Sequence, residues 1–106
     1  MAKIIWDFQA VKEHRKQLQY TYENWGAFTA KNLMEETQRV VQYIGRHPET
    51  GFIEPILKGR SRLLRAKTFK KHFKIIYFYD KEKDCVVIVD IWNTRMNPNT
   101  LAKRIE

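Results

Sequence analysis

The segment from Lys58 to Lys74 concentrates the positive charge of this chain. It contains eight of the twenty Lys and Arg residues, and no Asp or Glu occurs from Pro55 to Tyr79. Arg binds phosphate and carboxylate groups through a planar fork, and Lys binds them as a point charge. His72 adds an imidazole ring, the side chain best suited to proton transfer near neutral pH. This basic segment is therefore predicted to bind a polyanion or an acidic protein.

Six cations of the basic segment are candidates for contacting RNA or a protein partner. They are Lys58, Arg60, Arg62, Lys67, Lys70 and Lys71. The alternative is that they are solvated residues on the outer face of a strand, where charge discourages edge-to-edge association. The formal net charge of +8 favours nucleic acid, an acidic protein or an anionic membrane face as the partner.

The elements that precede the basic segment are predicted to be one strand and two helices. A β-branched and aromatic run from Lys3 to Trp6 predicts a strand. Asp7 is a suitable N-cap for a helix from Phe8 to Trp25, which Gly26 ends. The second helix has apolar residues at the spacing of one helical face and ends at Gly45. Its apolar face is formed by Ala30, Leu33, Met34, Thr37, Val40, Val41 and Ile44.

The second half of the chain is predicted to form three consecutive strands. They run from Arg62 to Phe69, from His72 to Asp80 and from Cys85 to Trp92, with turns at Lys70-Lys71 and from Asp80 to Asp84. A connector from Phe52 to Leu57 precedes them, and a loop from Asn93 to Asn99 and a short helix from Thr100 to Ile105 follow. The length predicts a single domain over residues 1–106. The predicted fold is α+β with the order β-α-α-β-β-β, in which a helical hairpin packs on one face of a small, mainly antiparallel twisted sheet.

In this order, the motifs of the chain resemble those of the RelE/ParE superfamily, the toxins of bacterial type II toxin–antitoxin modules that include the plasmid stabilization proteins. The motifs are the helix pair, His47-Pro48-Glu49-Thr50-Gly51, Leu64-Arg65, Phe73-Lys74-Ile75-Ile76-Tyr77, and a Val-rich strand that ends near Arg95. The resemblance covers roughly the whole chain. It implies a small, basic, cytoplasmic toxin that is held inactive by an acidic, partly disordered antitoxin.

The superfamily has two kinds of target, and the resemblance leaves both open. RelE-like members cut mRNA on the ribosome, whereas ParE-like members bind DNA gyrase and cleave nothing. The resemblance to the cutting branch implies that Arg65, Lys74 and Arg95 stabilise phosphate charge, and the chemistry adds His72 for proton transfer. The sequence departs from that branch at Ser61, Leu63 and Leu101, where its members carry Lys or Tyr. The favoured prediction is a ribosome-dependent endoribonuclease; the alternatives are a gyrase inhibitor or a basic binding module without toxicity.

The remaining polar residues predict neither a metal site nor a cofactor. Three histidines and the single Cys85 lack the spacing of metal ligands, and no glycine-rich phosphate loop is present. Cys85 is expected to be a small buried side chain. Neither a signal peptide nor a membrane-spanning run is evident, which favours a soluble cytoplasmic protein.

Asp90 is the exceptional residue of the last strand because it interrupts an apolar run. A buried, unpaired carboxylate costs several kcal/mol. Asp90 is therefore expected either to face solvent or to pair with a cation such as Arg65, Lys74 or Arg95. Tyr77 and Trp92 have ring faces that could stack on bases, but packing in the core is the favoured prediction for both.

Overall fold

The computed structural model describes residues 1–95 and 98–105. In chain order the elements are β1 (Lys3–Trp6), α1 (Phe8–Trp25), α2 (Ala27–Arg46), β2 (Phe52–Ile53), a 3-10 turn (Pro55–Leu57), β3 (Arg65–Phe69), β4 (Phe73–Asp80), β5 (Cys85–Asn93) and α3 (Pro98–Arg104). This order confirms the predicted α+β fold. Residues 96 and 97 of the predicted loop lie outside the described residues.

The five strands form one mixed sheet in the order β1-β5-β4-β3-β2. β1 runs parallel to β5, and the other neighbouring pairs are antiparallel. The helical hairpin follows β1, so the chain crosses over before the antiparallel strands begin. The sheet is therefore mainly antiparallel, as predicted, and β5 lies inside it between β1 and β4.

The two long helices are joined by a single residue, Gly26. The carboxylate of Asp7 accepts a hydrogen bond of 2.8 Å from the Phe8 N–H at the start of α1, which is the predicted N-cap. Gly26 has a φ of +91°, a left-handed conformation that favours glycine. α2 begins directly afterwards at Ala27, three residues before the first apolar position of the predicted helix. The chain therefore reverses within one residue, and Phe28 lies in the first turn of α2.

The sheet is covered on both faces. α1 and α2 cover the first face, where the buried core includes Leu33, Val41, Ile44, Ile75, Tyr77 and Ile88. α3 and the 3-10 turn cover the second face, where the core includes Leu57, Leu64, Ile76, Val89, Trp92 and Leu101. Tyr77 and Trp92 are thus core residues, and Cys85 is buried, which confirms the three predictions. None of the described helices is long and apolar enough to span a membrane.

Two local departures from the predicted strands affect the functional argument. β3 begins at Arg65, not at Arg62, because residues 60–62 form a bend and residues 63 and 64 have no regular structure. β5 contains a bulge, since Ile76 pairs with Asp90 but the next residue, Tyr77, pairs with Ile88. One extra residue on β5 shifts the alternation of its side chains. The shift directs Asp90 to the second face of the sheet.

Candidate functional site

The alternation of side chains along β3 and β4 separates two of the predicted catalytic cations. Arg65 pairs across the strands with Tyr77, whose side chain lies in the first-face core. Lys74 is two residues from Ile76 on β4, and Ile76 lies in the second-face core. Residues two apart on a strand share a face. Arg65 and Lys74 therefore lie on opposite faces of the sheet, and no single substrate group can contact both.

Arg65 is hydrogen-bonded to the turn that follows α2. Its Nη1 donates a hydrogen bond of 2.9 Å to the carbonyl of Gly51. Its guanidinium lies 3.9 Å from the carboxylate of Glu49, which is mostly exposed. Lys67, two residues along β3 on the same face, has its ammonium 3.4 Å from the hydroxyl of Thr50. These two cations of the basic segment are thus engaged with residues 49–51 of the same chain.

Lys74 is neutralised by a carboxylate inside the protein. Its Nζ lies 2.9 Å from Oε2 of Glu54, whose side chain is only 4% exposed. The ammonium also lies 5.5 Å from the centre of the Phe52 ring. The Lys74 side chain itself is 21% exposed. Lys74 therefore balances a buried charge, a role that the sequence did not indicate because Glu54 lies outside the basic segment.

The cations before β3 lie over the second face of the sheet. Arg60 donates to the carbonyl of Ala102 at 2.9 Å, near the C-terminal end of α3. A cation there is favourable because the terminal carbonyl groups carry partial negative charge. The guanidinium of Arg62 lies 4.5 Å from the centre of the Phe78 ring. Lys58 is exposed. Arg60 thus supports α3, whereas Arg62 lies exposed over the ring of Phe78.

The end of the β3–β4 hairpin carries Lys70, Lys71 and His72, and the segment with Arg95 lies beside it. Lys70 and Lys71 are exposed and form the predicted turn, with φ values of +45° and +65°. The carbonyl of the half-buried His72 accepts a hydrogen bond of 2.7 Å from Thr94, the residue before the exposed Arg95. Of the four predicted catalytic residues, the fold brings His72 and Arg95 to one end of the sheet. Lys74 lies near the start of β4 at the same end but is paired with Glu54 on the second face, and Arg65 lies at the far end of β3.

Asp90 does not pair with a cation of the basic segment, so the predicted partner was wrong. Asp90 is fully buried and pairs with Arg104 of α3, which lies outside the basic segment. The guanidinium contacts Asp90 Oδ1 at 2.5 Å through Nη2 and Oδ2 at 3.1 Å through Nε. It also contacts Glu13 of α1 at 3.2 Å and lies 4.9 Å from the centre of the Trp92 ring. Burial raises the pKa of the Asp90 carboxyl, while the hydrogen bond and charge of Arg104 act in the opposite direction.

Arg104 joins three elements that are distant in sequence, so its role could not be read from local spacing. The only local signal was the apolar pair Leu101 and Ile105, four residues apart, which are both buried in the second-face core. This spacing places α3 on the sheet. The pairing of Arg104 with Asp90 then follows from the bulge in β5. No pattern in the sequence predicts that bulge.

Several solved toxin structures share this fold. The chromosomal ParDE toxin–antitoxin system from P. aeruginosa matches with a TM-score of 0.70 and 14% identity, covering 88% of this chain and 96% of that one. The isolated E. coli RelE toxin matches with a TM-score of 0.60 and 16% identity over 100% of both chains. The intact E. coli RelBE toxin–antitoxin complex matches with a TM-score of 0.58 and 15% identity, covering 88% and 96%. A search of curated proteins found no match.

The element order, the mixed sheet and the helical hairpin are those of the RelE/ParE fold. The family model described as the ParE toxin of the type II toxin–antitoxin system parDE matches residues 4–98. The chain belongs to this family. Membership implies a cognate antitoxin as a partner.

Proposed function

We propose that this protein inhibits DNA gyrase by binding it and that it catalyses no cleavage of nucleic acid. The proposal rests on the position of Arg65 and Lys74 on opposite faces of the sheet. The match to the ParE toxin family supports it, because the resemblance associates ParE-like members with gyrase. Gyrase inhibition by binding requires no assembled acid, base and phosphate site. The proposed target also places the activity in the cytoplasm.

RNA cleavage through a 2′-hydroxyl would require several groups around one reacting phosphate. A base, an acid and phosphate-binding cations must all lie within hydrogen-bonding reach of it. Lys74 is already paired with Glu54 at 2.9 Å, and Arg65 is bonded to Gly51 at 2.9 Å. Breaking either contact would leave a buried polar group unpaired, at a cost of ~1–3 kcal/mol or more. Their present contacts therefore favour structural roles for both cations.

mRNA cleavage is the second candidate function, and one observation favours it. His72 and Arg95 lie at one end of the sheet beside Lys70 and Lys71. This group contains a proton-transfer side chain and three cations without using Arg65 or Lys74. If the protein is a ribonuclease, its active site is therefore expected at the β3–β4 hairpin.

Paired assays of the purified toxin separate the two functions. With gyrase and relaxed plasmid, we expect the toxin to reduce supercoiling in proportion to its concentration. With translating ribosomes, primer extension should show intact mRNA. Transcripts cut in the presence of wild-type toxin but not of a His72→Ala variant, with supercoiling unaffected, would instead establish the ribonuclease. If both assays are negative and expression is harmless to growing cells, the protein is a basic binding module without toxicity.

The antitoxin is proposed to cover part of the basic segment around Lys58, Arg62 and Leu63. Lys58 and Arg62 are exposed cations, and Leu63 is an apolar side chain that is 54% exposed. Charge accelerates the encounter with an acidic partner, and the apolar contact slows dissociation. Charge reversal by Lys58→Glu with Arg62→Glu is expected to weaken antitoxin binding in calorimetry, whereas Lys12→Glu on α1 should not. Equal affinity of both variants would contradict this assignment.

A further inference from the structure

Three large aromatic side chains are exposed at the tip of the helical hairpin. Tyr22, Trp25 and Phe28 are 56%, 69% and 84% exposed. Because Gly26 reverses the chain within one residue, Trp25 and Phe28 flank the same tight turn. Neither core includes them. Rings of this size exposed together on a small protein mark a surface that contacts another molecule.

Cations lie beside these rings because the β3–β4 turn is bonded to α2. Nζ of Lys70 donates a hydrogen bond of 2.7 Å to Oδ1 of Asn32. Asn32 follows Phe28 by four residues, so the two lie on the same side of α2. Lys31, three residues after Phe28, and Lys71 add two exposed ammonium groups. We call this surface the aromatic–cationic tip, and it consists of Tyr22, Trp25, Phe28, Lys31, Lys70 and Lys71.

No carboxylate of the described residues neutralises the charge of the tip. Over residues 1–95 and 98–105, no ion pair involves Lys31, Lys70 or Lys71. The nearest carboxylates in sequence, Glu23 and Glu35, form no ion pair in that part of the chain either. Both turn lysines also have left-handed backbone conformations, with φ of +45° and +65°, for which Asn and Gly are better suited. Unfavourable conformations of this kind occur preferentially at binding sites.

We propose that the aromatic–cationic tip binds single-stranded DNA. Its bases would stack on Trp25 and Phe28, and its phosphates would pair with Lys31, Lys70 and Lys71. Exposed rings beside cations are the features with which proteins bind single strands without reading sequence. Duplex DNA keeps its bases stacked inside the helix, and an acidic protein would pair with the ammonium groups but offers no series of flat rings. Stacking and phosphate contacts need no 2′-hydroxyl, so a DNA single strand is a sufficient ligand for the tip.

This binding surface goes beyond the proposed inhibition of gyrase and does not depend on it. The test is fluorescence anisotropy of the full-length protein with a labelled oligothymidylate of ~12 nucleotides, within the usual length of single-strand sites. Trp25→Ala and Phe28→Ala are each expected to weaken binding about tenfold. Trp25→Phe should retain affinity because it keeps an aromatic face. Phe8→Ala is the matched control, since Phe8 is 78% exposed at the opposite end of α1, and it should leave affinity unchanged.

The salt dependence of binding tests the cations separately from the rings. Lys71→Gln should reduce the slope of log affinity against log salt by about 0.7 for the loss of one phosphate contact. Lys83→Gln, an exposed lysine in the β4–β5 turn, should leave that slope unchanged. Circular dichroism of each variant verifies that it is folded. Trp25→Phe and Lys71→Gln alter exposed positions conservatively and remain informative if an alanine variant unfolds.

Several outcomes would overturn the proposal. They are an absence of binding, an affinity that Trp25→Ala leaves unchanged, and a duplex bound as tightly as the single strand. Oligouridylate bound more than about tenfold tighter than oligothymidylate would contradict the assignment to DNA, since stacking and phosphate contacts do not distinguish the two. A toxin dimer that dissociates on Trp25→Ala while no DNA binds would assign the exposed rings to self-association instead.

Discussion

The backbone N–H of Gly51 donates a hydrogen bond of 2.9 Å to the hydroxyl of Tyr77, which lies 26 residues later in the chain. The same hydroxyl donates to the carbonyl of Pro48 at 2.9 Å. A Cβ at position 51 would lie 2.7 Å from that hydroxyl and 2.8 Å from the carbonyl oxygen of Ala66. The turn therefore approaches the sheet so closely that glycine is required. This contact explains physically why Pro48, Gly51 and Tyr77 occur together as a motif.

Tyr77→Phe tests how much this contact stabilises the fold. The variant removes both hydrogen bonds and leaves the Gly51 N–H buried without a partner, so the free energy of unfolding should fall by about 2 kcal/mol. Urea denaturation followed by circular dichroism measures it. Tyr79→Phe is the control, because the Tyr79 hydroxyl bonds to Asp84 in an exposed position and should matter less. Equal stabilities of the two variants would show that the buried contact contributes no more than the exposed one.

Arg65→Ala is expected to destabilise the protein. Arg65 is 18% exposed and donates to the Gly51 carbonyl, and hydrogen bonds from charged donors contribute about 1.5–3 kcal/mol. The exposed ion pair with Glu49 adds little. Thermal denaturation should give a lower Tm for Arg65→Ala than for Arg62→Ala, since Arg62 is exposed. If Arg65→Ala abolishes toxicity while its Tm equals that of the wild type, Arg65 contacts the target directly.

A double-mutant cycle at Lys74 and Glu54 tests whether this pair is structural. Lys74→Met alone leaves the Glu54 carboxylate, only 4% exposed, without its cation. The expected loss of stability is about 3–5 kcal/mol. Adding Glu54→Gln should recover most of it because no buried charge then remains. Additive effects of the two substitutions, measured by chemical denaturation, would show that the pair is not energetically coupled. Lys74 would then again be a candidate for contacting the target.

Arg104→Met should destabilise the protein in a pH-dependent way. Burial raises the pKa of Asp90 above the ordinary value of 3.8, and Arg104 opposes this rise. A raised carboxyl pKa means that the folded chain holds a proton that the unfolded chain has released, so stability falls as pH rises through that interval. Removing Arg104 takes away the charge that opposes this rise in the pKa of Asp90. It therefore widens the pH range over which stability falls. The variant is expected to lose about 3–5 kcal/mol at pH 7 and less at pH 4.5.

The control for this pH dependence is Lys103→Met, which removes an exposed cation from the same helix. Comparing both variants with the wild type at each pH cancels the titration of other carboxyl groups. Urea denaturation at pH 4.5, 5.5 and 7 supplies the free energies. A loss for Arg104→Met that is the same at all three pH values would mean that Asp90 remains charged without its partner.

The helices and strands were predictable because their signals are local. The spacing of apolar residues from Ala30 to Ile44 indicates one face of a helix, and Gly26 indicates where a helix ends. The order of elements and the family motifs followed from the same residues. The least accurate boundary was the start of β3, since Arg62 and Leu63 have side chains compatible with a strand. The bend before β3 is instead bonded through Arg60 to the carbonyl of Ala102 in α3, 42 residues away.

The amino-acid sequence by itself determined the two helices, the antiparallel strands, the position of the basic segment and membership in the toxin superfamily. Only the tertiary structure decided which cations are free to bind a partner. Strand alternation placed Arg65 and Lys74 on opposite faces, and a bulge joined Asp90 to Arg104. The physical reason is that periodicity depends on neighbours in sequence, whereas the pairing of charges depends on which distant segments fold against one another.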